Sequence, residues 1–134
     1  MNKLRQAWPI SYCALLGWCF LVSIDLLTVY RGFPALYKFV KARRVRASFC
    51  ALSALTVEDI LESLRRAHVF APRHYHCLKY WSAATCLLRL HGYPAFLVVG
   101  VKHCPFYAHA WVEYGDQTFG LPEALKDCSV LVRL

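Results

Sequence analysis

At Gly92-Tyr93-Pro94 the chain changes its hydrophobic period, and this change limits the possible folds more than any other feature. Upstream, Val57, Ile60, Leu61 and Leu64 recur at helical spacing, and a second apolar segment runs from Cys77 to Leu90. Downstream, Ala95 to Val101 is a Val-rich apolar run, too short for a helix, and reads as a central strand. Gly92 suits the position just past a helix C-terminus, and Pro94 prevents the helix from resuming. Tyr107 to Tyr114 reads as a second strand and Gly115-Asp116 as a turn. Gln117 to Leu121 then forms a third strand in hairpin, and Val130 to Leu134 a short addition. The order from residue 56 is helix, helix, strand, strand, strand. That order predicts an α+β fold with helices on one side of a small antiparallel sheet.

The N-terminal part is different in kind. Ala7 to Ile24 is 18 residues without a charge, long enough to be a transmembrane candidate. Pro9, Ser11, Gly17, Ser23 and Asp25 favour instead a buried or interfacial helix packed on the rest of the chain. Lys3 and Arg5 on one side and Arg31 on the other give a membrane span no clear orientation. Residues 10–30 and 34–42 read as two helices broken at Arg31-Gly32-Phe33-Pro34, with Leu36, Phe39 and Val40 on one face of the second. Residues 43–55 read as a linker, basic and then rich in small residues. Thr56 with Asp59 three residues on resembles a capping box opening the next helix. The expected division is an apolar N-terminal helical segment with its linker over 1–55 and a second domain over 56–134.

Composition narrows the function classes. Hydrophobic residues make up 58% of the 134 and the mean hydropathy is +0.36, both high for a soluble domain. Much of the excess lies before residue 40, which implies a helix apolar all round or a surface that needs a partner. The net charge of +8 includes a cluster of Lys38, Lys41, Arg43, Arg44 and Arg46, read first as a solvated face. Attraction to an acidic partner or an anionic membrane is the alternative. No nucleic-acid motif is present. The seven Cys are odd in number, lack a C-x-x-C and include two in an apolar run, which argues against a disulfide scaffold. No A-x-A site follows the apolar stretch, so a cleaved signal peptide is not expected. The reading is a reduced cytoplasmic protein whose Cys are mostly small buried hydrophobes. His74-x-His76-Cys77 and His103-Cys104 match no common zinc spacing. No phosphate loop, dinucleotide fingerprint or haem motif appears, so neither metal nor cofactor is expected.

The chemistry rests on Cys77 and His109, 32 positions apart. Cys77 opens a helix, whose free N–H groups and partial positive charge favour a thiolate. His109 sits mid-strand, where a rigid backbone can hold a general base. The Cys77 N–H is a candidate oxyanion donor, with a side chain in Arg73 to His76 as a possible second. Cys86 and Cys104 fit structural roles, and His68, His74, His76, His91 and His103 fit surface or loop roles. Trp111 and Glu113 share the strand face of His109, the first as packing and the second as a surface or ion-pair residue.

Cys77-Leu78 with Ser82-Ala83, Leu87-Leu88-Arg89, Gly92-Tyr93-Pro94-Ala95, Leu97 to Val101, Pro105-Phe106 and His109-Ala110-Trp111-Val112-Glu113 closely resemble the lasso-peptide maturation proteases. These B proteins are a branch of the transglutaminase-like cysteine enzymes, and the resemblance covers roughly residues 56–126. It implies a transglutaminase/papain-like core and a cysteine peptidase that removes the leader from a ribosomal precursor peptide before an ATP-dependent cyclase closes the core. It also implies the split form, working with a separate leader-recognition protein. The family places an Asp twelve residues after the His; here that position is Leu121. A three-residue turn over 115–117 would bring Glu123 opposite His109 as the third catalytic member. Asp116, a backbone group, or no orienting group are the other options. Two rival functions remain: a thiol acyltransferase using the same dyad, and a weak or inactive scaffold that binds the precursor.

Overall fold

The computed structural model describes residues 2–45, 55–73, 75–103 and 106–134. Helix α1 spans Asn2–Ala42, α2 Val57–Val69 and α3 Cys77–Leu90. Strands β1 (Phe96–His103), β2 (Phe106–Tyr114), β3 (Gln117–Phe119) and β4 (Ser129–Arg133) follow, with a 3-10 turn at Glu123–Leu125. They form one antiparallel sheet in the order β3-β2-β1-β4. This is the α+β arrangement that the sequence predicts, with the apolar N-terminal helix packed onto it. Most of the expected linker, residues 46–54, lies outside the described residues.

Local signals set the helix ends. Thr56 and Asp59 close a reciprocal capping box, with N–H to side-chain oxygen distances of 3.1 and 3.2 Å. Gly92 takes φ 90 just beyond α3, where a side chain would be strained. The break expected at 31–34 is a kink within α1: Gly32 has φ 77 and ψ −178, and helix continues on both sides.

One face of α1 joins the core. Leu21, Ile24, Leu36 and Val40 are fully buried with Ile60 and Leu64 of α2 and Leu87 and Leu88 of α3. Gly17 permits the approach, since a Cβ there would sit 3.0 Å from Leu64 Cδ1. Asp25 of α1 and Lys79 of α3 form a 2.7 Å ion pair, with side chains only 12% and 18% exposed. The opposite face of α1 exposes Tyr12, Leu15, Leu26, Val29 and Tyr30. By length and composition, Ser11–Ala42 would suffice to cross a membrane.

Arg89 ties the layers together. Its guanidinium donates to Ala95 O (2.9 Å), Val40 O (2.9 Å), Arg43 O (3.1 Å) and Leu134 O (2.8 Å). Two of these acceptors lie at the C-terminal end of α1, the negative end of its dipole. The residue is 8% exposed, and burial pulls its pKa down from the usual guanidinium value.

On β1 and β2, Leu97, Val99, Ala110 and Val112 face the helices and belong to or pack on the main core. Val98 and Trp111 are buried on the other face. Trp111 lies across Gly100, where an added Cβ would meet the ring at 2.6 Å. Its indole N–H donates to Glu113 Oε1, and Glu113 also pairs with Arg133.

Candidate active site

Cys77 is the first residue of α3, and His76 occupies the N-cap. His76 makes no side-chain cap bond, and the first turn holds no acid. The same chain caps α2 twice over, whereas at α3 the N-cap side chain does not compete for the first N–H groups. The thiol of Cys77 is half-buried. Cys86, one face further along α3, is buried, and desolvation pushes its thiol up to about 12. Cys13 is also buried, whereas Cys19 is exposed and Cys128 half-buried, so the small-hydrophobe reading fits only two of these five cysteines. Cys50 and Cys104 lie outside the described residues.

His109 sits on β2 opposite Gly100 of β1. Its Nε2 lies 2.6 Å from Gly120 O. A carbonyl only accepts, so Nε2 carries the proton and Nδ1 keeps a free lone pair. Nδ1 is buried and has no hydrogen-bond partner among the described residues. Tyr107 stacks on the ring, 6.2 Å between centroids and 22° between planes.

The Trp81 ring of α3 packs against Gly120. Gly120 adopts φ 84, and a Cβ there would fall 2.1 Å from Trp81 Cζ2 and 2.2 Å from Cε2. Trp81 is one helical turn beyond Cys77. The helix that carries the nucleophile candidate therefore also carries the ring that sets the loop bonding His109. His109 shares its register face with Gly100 and Trp111, not with the helix-facing Ala108 and Ala110. Trp81 and Gly120 thus connect α3 to the loop that His109 bonds.

Cys77 and His109 line the same open cleft of about 300 Å³. Its remaining walls are apolar: Phe33 and Tyr37 of α1, Leu78 of α3, Val99 and Val101 of β1, Phe106, Ala108 and Ala110 of β2, and Leu131 of β4.

Glu123 does not reach His109. The turn after β2 has two residues, because Tyr114 pairs with Gln117, and β3 ends at Phe119. The one-residue difference removes the expected register, and Glu123 lies in the 3-10 turn, 86% exposed and bonded to Lys126 Nζ at 2.6 Å. Leu121 holds the family's Asp position, and Asp116 is exposed at the tip of the hairpin. The group on His109 is a backbone carbonyl, one of the open options. Its sequence signal was Gly120 itself, next to the family position and needing left-handed backbone.

The other histidines stand apart from this cleft. His68 accepts from Tyr75 N–H at 3.3 Å and packs edge-on to Tyr80. His91 Nδ1 bonds Leu87 O at 2.8 Å, while His76 and His103 are exposed. His74 lies outside the described residues. No cluster of three metal-binding side chains occurs among the described residues.

Comparison with known proteins places these features in a family. Over 51 residues the chain is 39% identical to the microcin J25-processing protein McjB of Escherichia coli, a match covering 38% of this chain and 24% of McjB. No solved structure matches. The family model of the transglutaminase-like superfamily matches residues 20–133, most of the chain and the whole of the cleft described above. The chain belongs to the transglutaminase-like superfamily.

Proposed function

We propose that this protein is a cysteine peptidase that removes the leader from a lasso-peptide precursor. The observation that carries the reading is the state of His109, a residue that lines the same cleft as Cys77: Nε2 is bonded to Gly120 O, and the buried Nδ1 has no hydrogen-bond partner among the described residues. The likeness to a microcin-processing protein supports the substrate class.

In the reaction, Nδ1 of His109 takes the proton of the Cys77 thiol as Sγ attacks the carbonyl at the leader–core junction. The positive end of α3 favours the charge on sulfur, and the Cys77 N–H stabilises the oxyanion. Nδ1–H then protonates the departing core amine, leaving a thioester between the leader and Cys77. The same nitrogen next deprotonates a water molecule. Hydroxide displaces Sγ, the leader leaves as a carboxylic acid, and the thiol regains its proton. Gly120 O performs, as a neutral acceptor, the orienting duty that the family gives to an Asp. The reaction belongs in the reducing cytoplasm, with a separate leader-recognition protein delivering the precursor to an enzyme that hands the freed core amine to the cyclase.

The test is mass spectrometry of a precursor incubated with this protein and its leader-binding partner, beside Cys77→Ala and His109→Ala. Cleavage at one junction, abolished by either substitution, is expected. A new amide in place of two fragments would establish acyl transfer instead. An intact precursor, with both proteins folded and shown to bind it, would leave a binding scaffold.

A further inference from the structure

The cleft beside Cys77 has walls from α1, α3, β1, β2 and β4. Phe33 and Tyr37 follow the kink at Gly32 in α1, Phe106 begins β2 and Leu131 lies in β4. Apart from Cys77 and His109, its lining among the described residues contains no ionisable side chain but the Tyr37 phenol, and no carboxylate, Lys or Arg. Its rim is apolar as well: Phe33 is 51% exposed, Leu131 63% and Phe106 74%. Three large apolar side chains left in water around one opening are costly to a monomer unless a ligand covers them. The volume, about 300 Å³, is at the small end of ligand pockets, which run roughly 300–1,000 Å³. It suits a side chain rather than a folded partner.

We propose that this cleft is a specificity subsite for one large apolar side chain, aliphatic or aromatic, of the peptide substrate, within about two residues of the bond cut. The proposal rests on the peptidase reading above, since Cys77 on the wall is what places the scissile bond beside the cleft. A charged side chain entering here loses its water and, among the described residues, meets no Lys, Arg or carboxylate on the walls. An apolar one covers Phe33, Phe106 and Leu131. Because Phe33 and Tyr37 belong to α1, the apolar N-terminal helix then helps to choose the substrate as well as to complete the core.

The test uses the full chain and a set of tetrapeptidyl fluoromethyl ketones, in which each position nearest the ketone carries Leu, Phe, Asp or Lys in turn. The thiolate displaces fluoride and leaves a thioether, so intact mass gives the labelling rate at Cys77, with Cys77→Ala as control. At one position, Leu and Phe are expected to label at least about tenfold faster than Asp and Lys, in line with discrimination by apolar pockets. In Leu131→Glu and Phe33→Glu, both at exposed positions that the fold tolerates, the preference should shift toward Lys. Equal rates for all side chains, with Cys77 still labelled, would overturn the subsite and leave the nucleophile standing. No labelling of Cys77 by any probe would overturn the peptidase reading, and the subsite with it.

Discussion

Replacing Gly120 by Ala tests the link from Trp81 to His109 directly. The native φ of 84 costs an L-residue about 1–2 kcal/mol, and the new Cβ would overlap the Trp81 indole at 2.1 Å. Trp81 is partly buried against the core and Gly120 lies on an exposed loop, so the loop gives way. A displacement of about 1 Å takes the 2.6 Å bond between His109 and Gly120 O beyond hydrogen-bonding range. The ring then loses the acceptor that keeps its proton on Nε2. A neutral hydrogen bond contributes about 0.5–1.5 kcal/mol, and loss of the tautomer and ring orientation adds to it. We expect a barrier higher by about 1–3 kcal/mol, hence kcat/KM lower by roughly 5- to 160-fold. That is less than the ~10⁴-fold effect of losing a triad aspartate's orientation. The assay is precursor cleavage beside thermal unfolding and ¹⁵N shifts of the His109 ring. The double variant Trp81→Ala, Gly120→Ala removes the overlap and should recover part of the rate. A folded Gly120→Ala protein with unchanged Nε2–H and kcat/KM within about twofold of the parent would refute the reasoning.

Other residues give independent tests. Arg89→Met leaves four backbone carbonyls without their donor, and should destabilise by about 3–5 kcal/mol, read as a drop of roughly 10–20 °C in Tm. Arg89→Lys should recover less than half of that, because a compact ammonium cannot reach all four acceptors. Iodoacetamide at pH 8 should modify Cys77 in the folded protein and spare Cys86, whose thiol stands at about 12, until denaturant is added; peptide mass mapping reads both, with Cys19 as the exposed control. Hydrogen bonds from Arg65 and then Arg66 hold the exposed Glu62 carboxylate at about 2, below its ordinary 4.5. The folded value is the lower one, so its stabilising effect is complete above about 4.5 and is lost as pH falls through about 2. An NMR titration of Glu62 should show this low midpoint, and Arg65→Met with Arg66→Met should return it toward 4.5.

What the sequence disclosed was what local physics decides. Thr56 and Asp59 mark the start of α2 because their bonds span three residues. Cys77 to Leu90 was legible from end to end because Gly92 and Pro94 stop the helix chemically. The hairpin was legible in kind but not in register. Gly115-Asp116 fits a two-residue turn as well as part of a longer one, and a slip of one residue was enough to nominate Glu123. The role of α1 in the cleft was hidden for a different reason: Phe33 and Leu131 meet only after the whole chain folds, and neither carries a motif.

The orienting group was hidden for the deepest reason. Carboxylates are found by reading side chains, but every residue carries a carbonyl, so a sequence cannot show which one has been aimed. The aim comes from two side-chain facts: glycine at 120, which permits left-handed backbone, and tryptophan at 81, which leaves no room for anything larger. Placing both controls next to α3 couples the base to the helix that carries the thiol. Leu121 at the position where the resemblance implies an Asp then need not leave His109 unheld. It exchanges a charged partner, stronger and tunable by pH, for a neutral one whose direction is fixed by packing and does not titrate. In the proposed mechanism this trades rate for fixed geometry: the imidazolium formed after thiol deprotonation is stabilised less by a carbonyl than by a carboxylate, while packing rather than charge holds the neutral ring with its proton on Nε2.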